Sequence, residues 1–207
     1  MYSDSTNSNT NSEYSTSEAS ASSTSSTSST ISTISTISNN SQMVSLLKRE
    51  NCIVEGEFKL KNGEISNIYY DIKGIISNPE LFRLVCDNLI RVLPNNLINY
   101  SLIYGIPYGG LPIASYLAIT NNKGLIYSRN KKKEYGTKKL VEGRYRAGQR
   151  VIIIDDVITT GGSLKESIIL ARDTLKLKVI ACLAVVNRNN IESIEDIPIF
   201  SLLNACT

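Results

Sequence analysis

The chain has 207 residues, with 22 Lys and Arg, 19 Asp and Glu and no histidine, for a net charge of +3. The missing histidine removes every mechanism that needs an imidazole as base, nucleophile or metal ligand. Cys52, Cys86, Cys182 and Cys206 lack metal-ligand spacing and no apolar run is long enough to span a bilayer, so a cytoplasmic protein with reduced thiols is expected.

From Met1 to about Gln42 the chain is almost wholly Ser, Thr and Asn, with a short Ser-Thr-Ile repeat between Ile31 and Ile37. Such a stretch has too little apolar surface to offset the entropy of ordering, so residues 1–42 are expected to be a disordered tail. Its acids are Asp4, Glu13 and Glu18, and the first basic residue is Lys48, which fits neither a secretory signal nor a transit peptide. Setting those three acids aside leaves residues 43–207 at +6, a balance that suits a polyanionic substrate and also nucleic acid. That segment is long enough for one domain with a core of its own.

Val44 to Asn51 has the spacing of a short amphipathic helix. Phe58 to Leu60 and Ile68 to Ile72 read as short strands about the turn Lys61-Asn62-Gly63. Ser77-Asn78-Pro79-Glu80 carries a capping side chain, a first-turn proline and an early acid, and it starts a helix that runs to about Leu93. Strand and helix then alternate. The strands are Leu102–Tyr104, Leu125–Tyr127, Val151–Ile154 and Val179–Val185, and the helices are Leu111–Ile119 and Leu164–Leu175. This alternation predicts an α/β fold with a doubly wound, mainly parallel sheet and right-handed crossovers. Ligands bind such sheets at the carboxyl ends of the strands.

The densest signal is Val151-Ile152-Ile153-Ile154-Asp155-Asp156-Val157-Ile158-Thr159-Thr160-Gly161-Gly162-Ser163. It is an apolar strand ending in two acids, then a Thr/Gly-rich loop that opens a helix. Loop amides and the positive end of the helix can cradle a phosphate, and Thr159, Thr160 and Ser163 add hydroxyl donors. Asp155 and Asp156 can accept hydrogen bonds from vicinal ribose hydroxyls or face a cationic sugar. The spacing matches neither a Walker loop nor Gly-x-Gly-x-x-Gly. A second loop, Gly105-Ile106-Pro107-Tyr108-Gly109-Gly110-Leu111-Pro112, reads equally as a diphosphate cradle or as a tight turn made for packing. A third segment, Arg129 to Lys139, is a charge run without apolar periodicity. It reads as a solvated surface, as a nucleic-acid patch, or as a cationic flap that closes on a leaving diphosphate.

The acidic-pair loop resembles the phosphoribosyl diphosphate motif of the type I phosphoribosyltransferases. The wider pattern resembles the orotate phosphoribosyltransferases in particular: Gly56 to Gly63 followed by Ser66 and Tyr69-Tyr70-Asp71, the run Arg129 to Gly136 with Gly143, and the ending Val185-Val186-Asn187-Arg188. The resemblance implies a sheet of that family's kind under a small amino-terminal hood. It implies that Lys61 touches substrate phosphate, that Tyr69 and Tyr70 line a pyrimidine pocket, and that Tyr108 belongs to the substrate contacts. Asp155 and Asp156 would hold the ribose, Thr159, Thr160, Gly161, Gly162 and Ser163 the 5′-phosphate, and Arg188 the orotate carboxylate. Arg129, Lys131, Lys133 and Tyr135 would form the flap, with Lys133 its chief catalytic group. In the family Arg129 and Lys133 cross a two-fold interface, which implies a homodimer with shared sites. Magnesium is the implied cofactor, bridging substrate oxygens rather than resting in a protein cage.

This sequence departs from the family pattern at Asn130, which displaces Lys131 by one place, and at Tyr135, Asn187 and Gly109, the last a lysine in many bacterial enzymes. A usual terminal helix is expected to be shortened, and a fused decarboxylase is not expected. The expected activity is transfer of a phosphoribosyl group from its diphosphate to orotate, with neither membrane nor nucleic acid as partner. Three other readings stand beside it: a phosphoribosyltransferase for a purine base, a non-catalytic sensor of phosphoribosyl diphosphate, and a nucleic-acid binder working through Lys131 to Lys139.

Overall fold

The computed structural model describes residues 40–59, 63, 65–129 and 140–204. The expected tail up to residue 39, and Lys61, Asn130, Lys131, Lys133, Tyr135 and Cys206, lie outside the described residues. The first helix, α1 (Asn40–Arg49), begins a turn earlier than its apolar spacing announces, taking in Asn40, Ser41 and Gln42. It buries Met43, Leu46 and Leu47, an i, i+3, i+4 stripe, and ends on Lys48 and Arg49, which suit the negative end of the helix dipole.

Strands β1 (Ile53–Lys59) and β2 (Ile65–Tyr70) pair antiparallel as a separate two-stranded ribbon, the expected hood. Both are longer than the short runs read from the sequence. Ile72 instead opens a 3₁₀ segment, Ile72–Ser77, pinned by the buried side chains of Ile72 and Ile75. Helix α2 (Pro79–Arg91) then starts where the capping signals put it: the Asn78 side chain accepts the Leu81 N–H at 3.1 Å, and Pro79 leads the first turn.

The main sheet combines β3 (Leu102–Gly105), β4 (Gly124–Ser128), β5 (Val141–Glu142), β6 (Arg150–Ile158), β7 (Lys178–Asn187), β8 (Ser193–Ile194) and β9 (Ile197–Asn204) in the order β5-β4-β3-β6-β7-β9-β8. The five inner strands are all parallel, and only the two-residue edges β5 and β8 run antiparallel to their neighbours. Strand side chains alternate, and the burial follows that alternation. Leu102 and Tyr104, Val151 and Ile153, and Cys182 and Ala184 share one core with Leu164, Ile168 and Ala171. The last three belong to α4 (Gly162–Ile169) and to the wider π turn (Leu170–Thr174) that continues it. Ile103, Ile152, Ile154 and Leu183, equally buried, turn to the other face, where α3 (Gly110–Thr120) packs on β3 and β6, and α2 on β7. Helices on both faces make the sheet doubly wound, as expected.

Two elements correct the sequence reading. The sequence reading assigns no element to residues 197–204, where β9 pairs in parallel with β7 from Cys182↔Ile199 to Asn187↔Asn204. The physical reason is that β7 is buried along most of its length and its free edge needs backbone partners. The helix expected to reach Leu175 loses its α-pitch at Leu170, and the Leu175 N–H closes a wider ring on the Leu170 carbonyl at 3.0 Å. Among the described residues no helix is long and apolar enough to cross a membrane.

Candidate active site

Strand β6 does not stop at its two acids but continues to Ile158, pairing with β7 as far as Asn187. Asp155 and Asp156 are therefore held in extended backbone inside the carboxyl half of the sheet, each 8% exposed. Asp155 accepts the backbone N–H of Asp156 at 2.9 Å. Burial, and then the Asp156 carboxylate beside it, push the Asp155 carboxyl well above the usual carboxylate range. Among the described residues no hydrogen bond is aligned on the buried Asp156 Oδ2, and the Nζ of Lys73 balances its charge from 3.1 Å. Partial burial works against the Lys73 charge, but the Asp156 carboxylate more than reverses this, leaving its pKa above the ordinary lysine value.

The loop between β3 and α3 lies flat on these acids. A methyl group added at Gly109 would stand 2.1 Å from Asp156 Oδ2, and one at Gly110 would stand 2.3 Å from the Ile154 carbonyl oxygen. The Ile106 N–H donates to that same carbonyl at 3.0 Å. The glycines thus meet a packing demand, and meeting it brings the loop's backbone against the acid pair. The two readings of this loop are compatible. The contact also gives Gly109 its reason: no side chain fits there while Asp156 keeps its place.

On the phosphate-loop side, Thr159, Thr160, Gly162 and Ser163 are exposed. Gly161 sits at φ +76°, a left-handed conformation glycine adopts freely, and no side chain caps the start of α4. Its first-turn amides are open to an anion. Asn189 donates from Nδ2 to the Thr159 carbonyl at 3.0 Å, and a methyl on Gly161 would meet Ile194 Cδ1 at 2.3 Å. The segment after β7 therefore closes over the phosphate loop.

That segment also carries Arg188. Its backbone N–H donates to the Ile158 carbonyl at 2.8 Å, and its guanidinium donates to Ser66 Oγ at 2.9 Å and lies 5.8 Å from the Tyr70 ring centroid. Arg188 and the hood so form one corner of the site. Along β2 exposure alternates, with Ser66 and Tyr70 half-buried and Tyr69 outward, its ring 5.4 Å from that of Phe58. The structure brings Tyr70, not Tyr69, to Arg188. Asn187 both donates to the Ile191 carbonyl (2.9 Å) and accepts the Ile191 N–H (3.1 Å). An aspartate in its place could accept but not donate, so the departure at Asn187 serves the turn that presents Arg188.

Arg129, at the carboxyl end of β4, is paired with Glu142 of β5. Beside it a cavity of about 530 Å³ is lined by Pro107, Tyr108, Tyr127, Ser128 and Glu142, with Tyr108 71% exposed at its edge. Sequence reasoning missed Lys73 and Glu142 altogether, and it had Ser66 only as part of a signature. Each acts through a partner remote in the chain, which no local spacing reveals. No three His, Cys, Asp or Glu side chains among the described residues gather to hold a metal. The oxygen donors of Asp155 and Asp156 do fit a hard divalent cation held chiefly by substrate oxygens and water.

Residues 75–204 match the family model for the phosphoribosyl transferase domain. The chain is 42% identical over 124 residues to an orotate phosphoribosyltransferase of Pyrococcus horikoshii, covering 59% of this chain and 66% of that one. It is 38% identical over 128 residues to one of Methanocaldococcus jannaschii, covering 62% of this chain and 71% of that one. The crystal structure of orotate phosphoribosyltransferase from Aeropyrum pernix superimposes with a TM-score of 0.70 at 30% identity, covering 78% of this chain and 93% of that one.

Proposed function

The chain belongs to the phosphoribosyl transferase domain family, and we propose that it transfers the 5-phosphoribosyl group from 5-phosphoribosyl 1-diphosphate to N1 of orotate in pyrimidine nucleotide synthesis. The products are orotidine 5′-phosphate and diphosphate. The observation that carries this reading is the meeting of three groups on β6 and its parallel neighbours. Asp155 and Asp156 lie on the strand itself, the Gly109-Gly110 loop lies against them, and the uncapped start of α4 follows. Arg188, steadied by Ser66 and Tyr70, supports orotate as acceptor, because a guanidinium pairs with a carboxylate in a planar fork that a purine base does not offer.

In this mechanism the amides of Gly162 and Ser163, with the Thr159 and Thr160 hydroxyls, hold the 5′-phosphate. Asp155 and Asp156 fix the ribose hydroxyls and set negative charge beside the cationic sugar that develops as diphosphate leaves. Orotate is already an anion with an acidic N1 proton, so the site needs no strong base. Lys61, Lys131, Lys133 and Tyr135 complete the substrate and flap contacts in this reading, with Lys133 meeting the leaving group. A two-fold dimer in the cytoplasm belongs to the same proposal, with Arg129 leaving Glu142 to reach its neighbour's site. Magnesium, when bound, neutralises diphosphate charge. Asp155 and Asp156 are the described residues whose carboxylates would hold it.

The test is loss of orotate absorbance with phosphoribosyl diphosphate and magnesium. We expect turnover by the parent chain and a fall of roughly 100-fold or more in Asp155→Asn plus Asp156→Asn, since preorganised charge at such a centre is worth several kcal/mol. Binding of phosphoribosyl diphosphate without turnover would make the chain a sensor instead. Consumption of adenine or hypoxanthine in place of orotate would move the acceptor to the purines.

A further inference from the structure

Lys73 belongs to none of the motifs, yet its Nζ is 3.1 Å from Asp156 Oδ2. Among the described residues no other Lys or Arg forms an ion pair with either acid of β6. Its side chain is 58% exposed, against 11% for Asp156, so the ammonium reaches the carboxylate from the open side of the site. Its main chain is well anchored. Ile72 and Ile75 on either side are each 1% exposed, the Gly74 N–H donates to the Asp71 carbonyl at 3.0 Å, and the segment packs against β6. A fixed post thus carries a flexible four-carbon stem ending in a compact charge.

The place where that charge sits is informative. The oxygen it meets, Asp156 Oδ2, is also the atom against which Gly109 packs. Lys73 therefore stands where the loop after β3 joins the acid pair. An ammonium has three N–H donors, and one carboxylate oxygen uses one of them.

We propose that Lys73 is a diphosphate-binding residue, which keeps its charge beside Asp156 and gives its remaining N–H donors to an oxygen of the leaving diphosphate. This rests on the function proposed above and on the diphosphate-cradle reading of the Gly105–Pro112 loop, whose Gly109 packs against the same carboxylate. Lys73 would then link the two halves of the substrate, with ribose on the carboxylate and diphosphate on the ammonium. No bond is made or broken by it, and its part is to hold negative charge that grows as the diphosphate departs.

The experiment is calorimetric titration of the full chain with inorganic diphosphate and magnesium, and separately with ribose 5-phosphate. The parent is compared with Lys73→Met, which keeps the stem, and Lys73→Arg, which keeps the charge. We expect Lys73→Met to weaken diphosphate roughly 10- to 100-fold, the worth of a charge-assisted hydrogen bond. Ribose 5-phosphate should stay within about twofold, and Lys73→Arg should recover most of the loss. Unchanged diphosphate affinity in Lys73→Met overturns the proposal. So does an equal loss for ribose 5-phosphate, the mark of a lysine that only keeps Asp156 in shape. Orotate consumption by the parent is scored separately. A chain that binds diphosphate through Lys73 without consuming orotate refutes the function and keeps this assignment.

Discussion

Asp155 shows what a carboxyl buried at the proposed site costs the fold. Its carboxyl is raised above the ordinary value of 3.8 by burial and by Asp156, so the folded chain holds the proton to a higher pH than the unfolded chain does. Stability then falls as pH rises from about that ordinary value through the raised one, because ionisation is easier in the unfolded state. Asparagine cannot ionise and escapes this cost. Thermal melting is expected to show Asp155→Asn more stable than the parent at about pH 7.5, by roughly 2–4 °C for each kcal/mol released, with the gap closing near about pH 4. A variant less stable at every pH would mean that the carboxylate helps hold the fold together. The cysteines stand in contrast. Burial, with a smaller push from Asp87, lifts the Cys86 thiol to about 12, and burial with Asp155 lifts Cys182 further, so both are inert core.

At the scale of elements, the stretch from Asn187 to Asp196 connects two subsites. It presents Arg188 to the hood, ties Asn189 to the Thr159 carbonyl, packs Ile194 on Gly161, and anchors Glu195 on Lys165 and Arg172 near the start and end of the helical segment after β6. One segment therefore contacts both the loop assigned to the 5′-phosphate and the hood residue that holds the arginine assigned to orotate. Asn189→Ala removes one largely exposed hydrogen bond, and the KM for both substrates is expected to rise roughly 2- to 10-fold with kcat less affected. A change in only one KM would show the subsites to be independent. Little of this was legible beforehand. The acid pair, the glycines and Arg188 announced themselves by residue type and spacing. Ser66 and Arg188 are 122 positions apart, and Lys73 is a lone lysine between Ile72 and Gly74, so only the folded approach of β2 to the residue after β7, and of the 3₁₀ segment to β6, reveals them. Strand β9 was hidden differently: Pro198 near its start argues against a strand, and is tolerated where β9 meets the two-residue edge β8.

At the scale of the whole molecule, the alternation of apolar runs with amphipathic stretches was enough to read the doubly wound sheet and its binding edge, because each crossover leaves its own periodicity. Strand order was not readable. It places β6 at the centre, between β3 from earlier in the chain and β7 from later, so groups from distant segments converge on two adjacent acids. The same order has a kinetic side. Parallel neighbours cannot pair through a tight hairpin, and Leu102 must find Val151 with α3, β4 and β5 lying between them in the chain. Chain closure over such separations has to precede the contacts that reward it, which makes folding slow. Meanwhile Val151-Ile152-Ile153-Ile154, which ends up fully buried, is an unpaired β-prone run. On dilution from denaturant, regain of native fluorescence is expected over milliseconds to seconds, with a yield that drops as protein concentration rises and light scattering that rises with it. A concentration-independent yield would mean that the central strand finds a partner before it is ever left open.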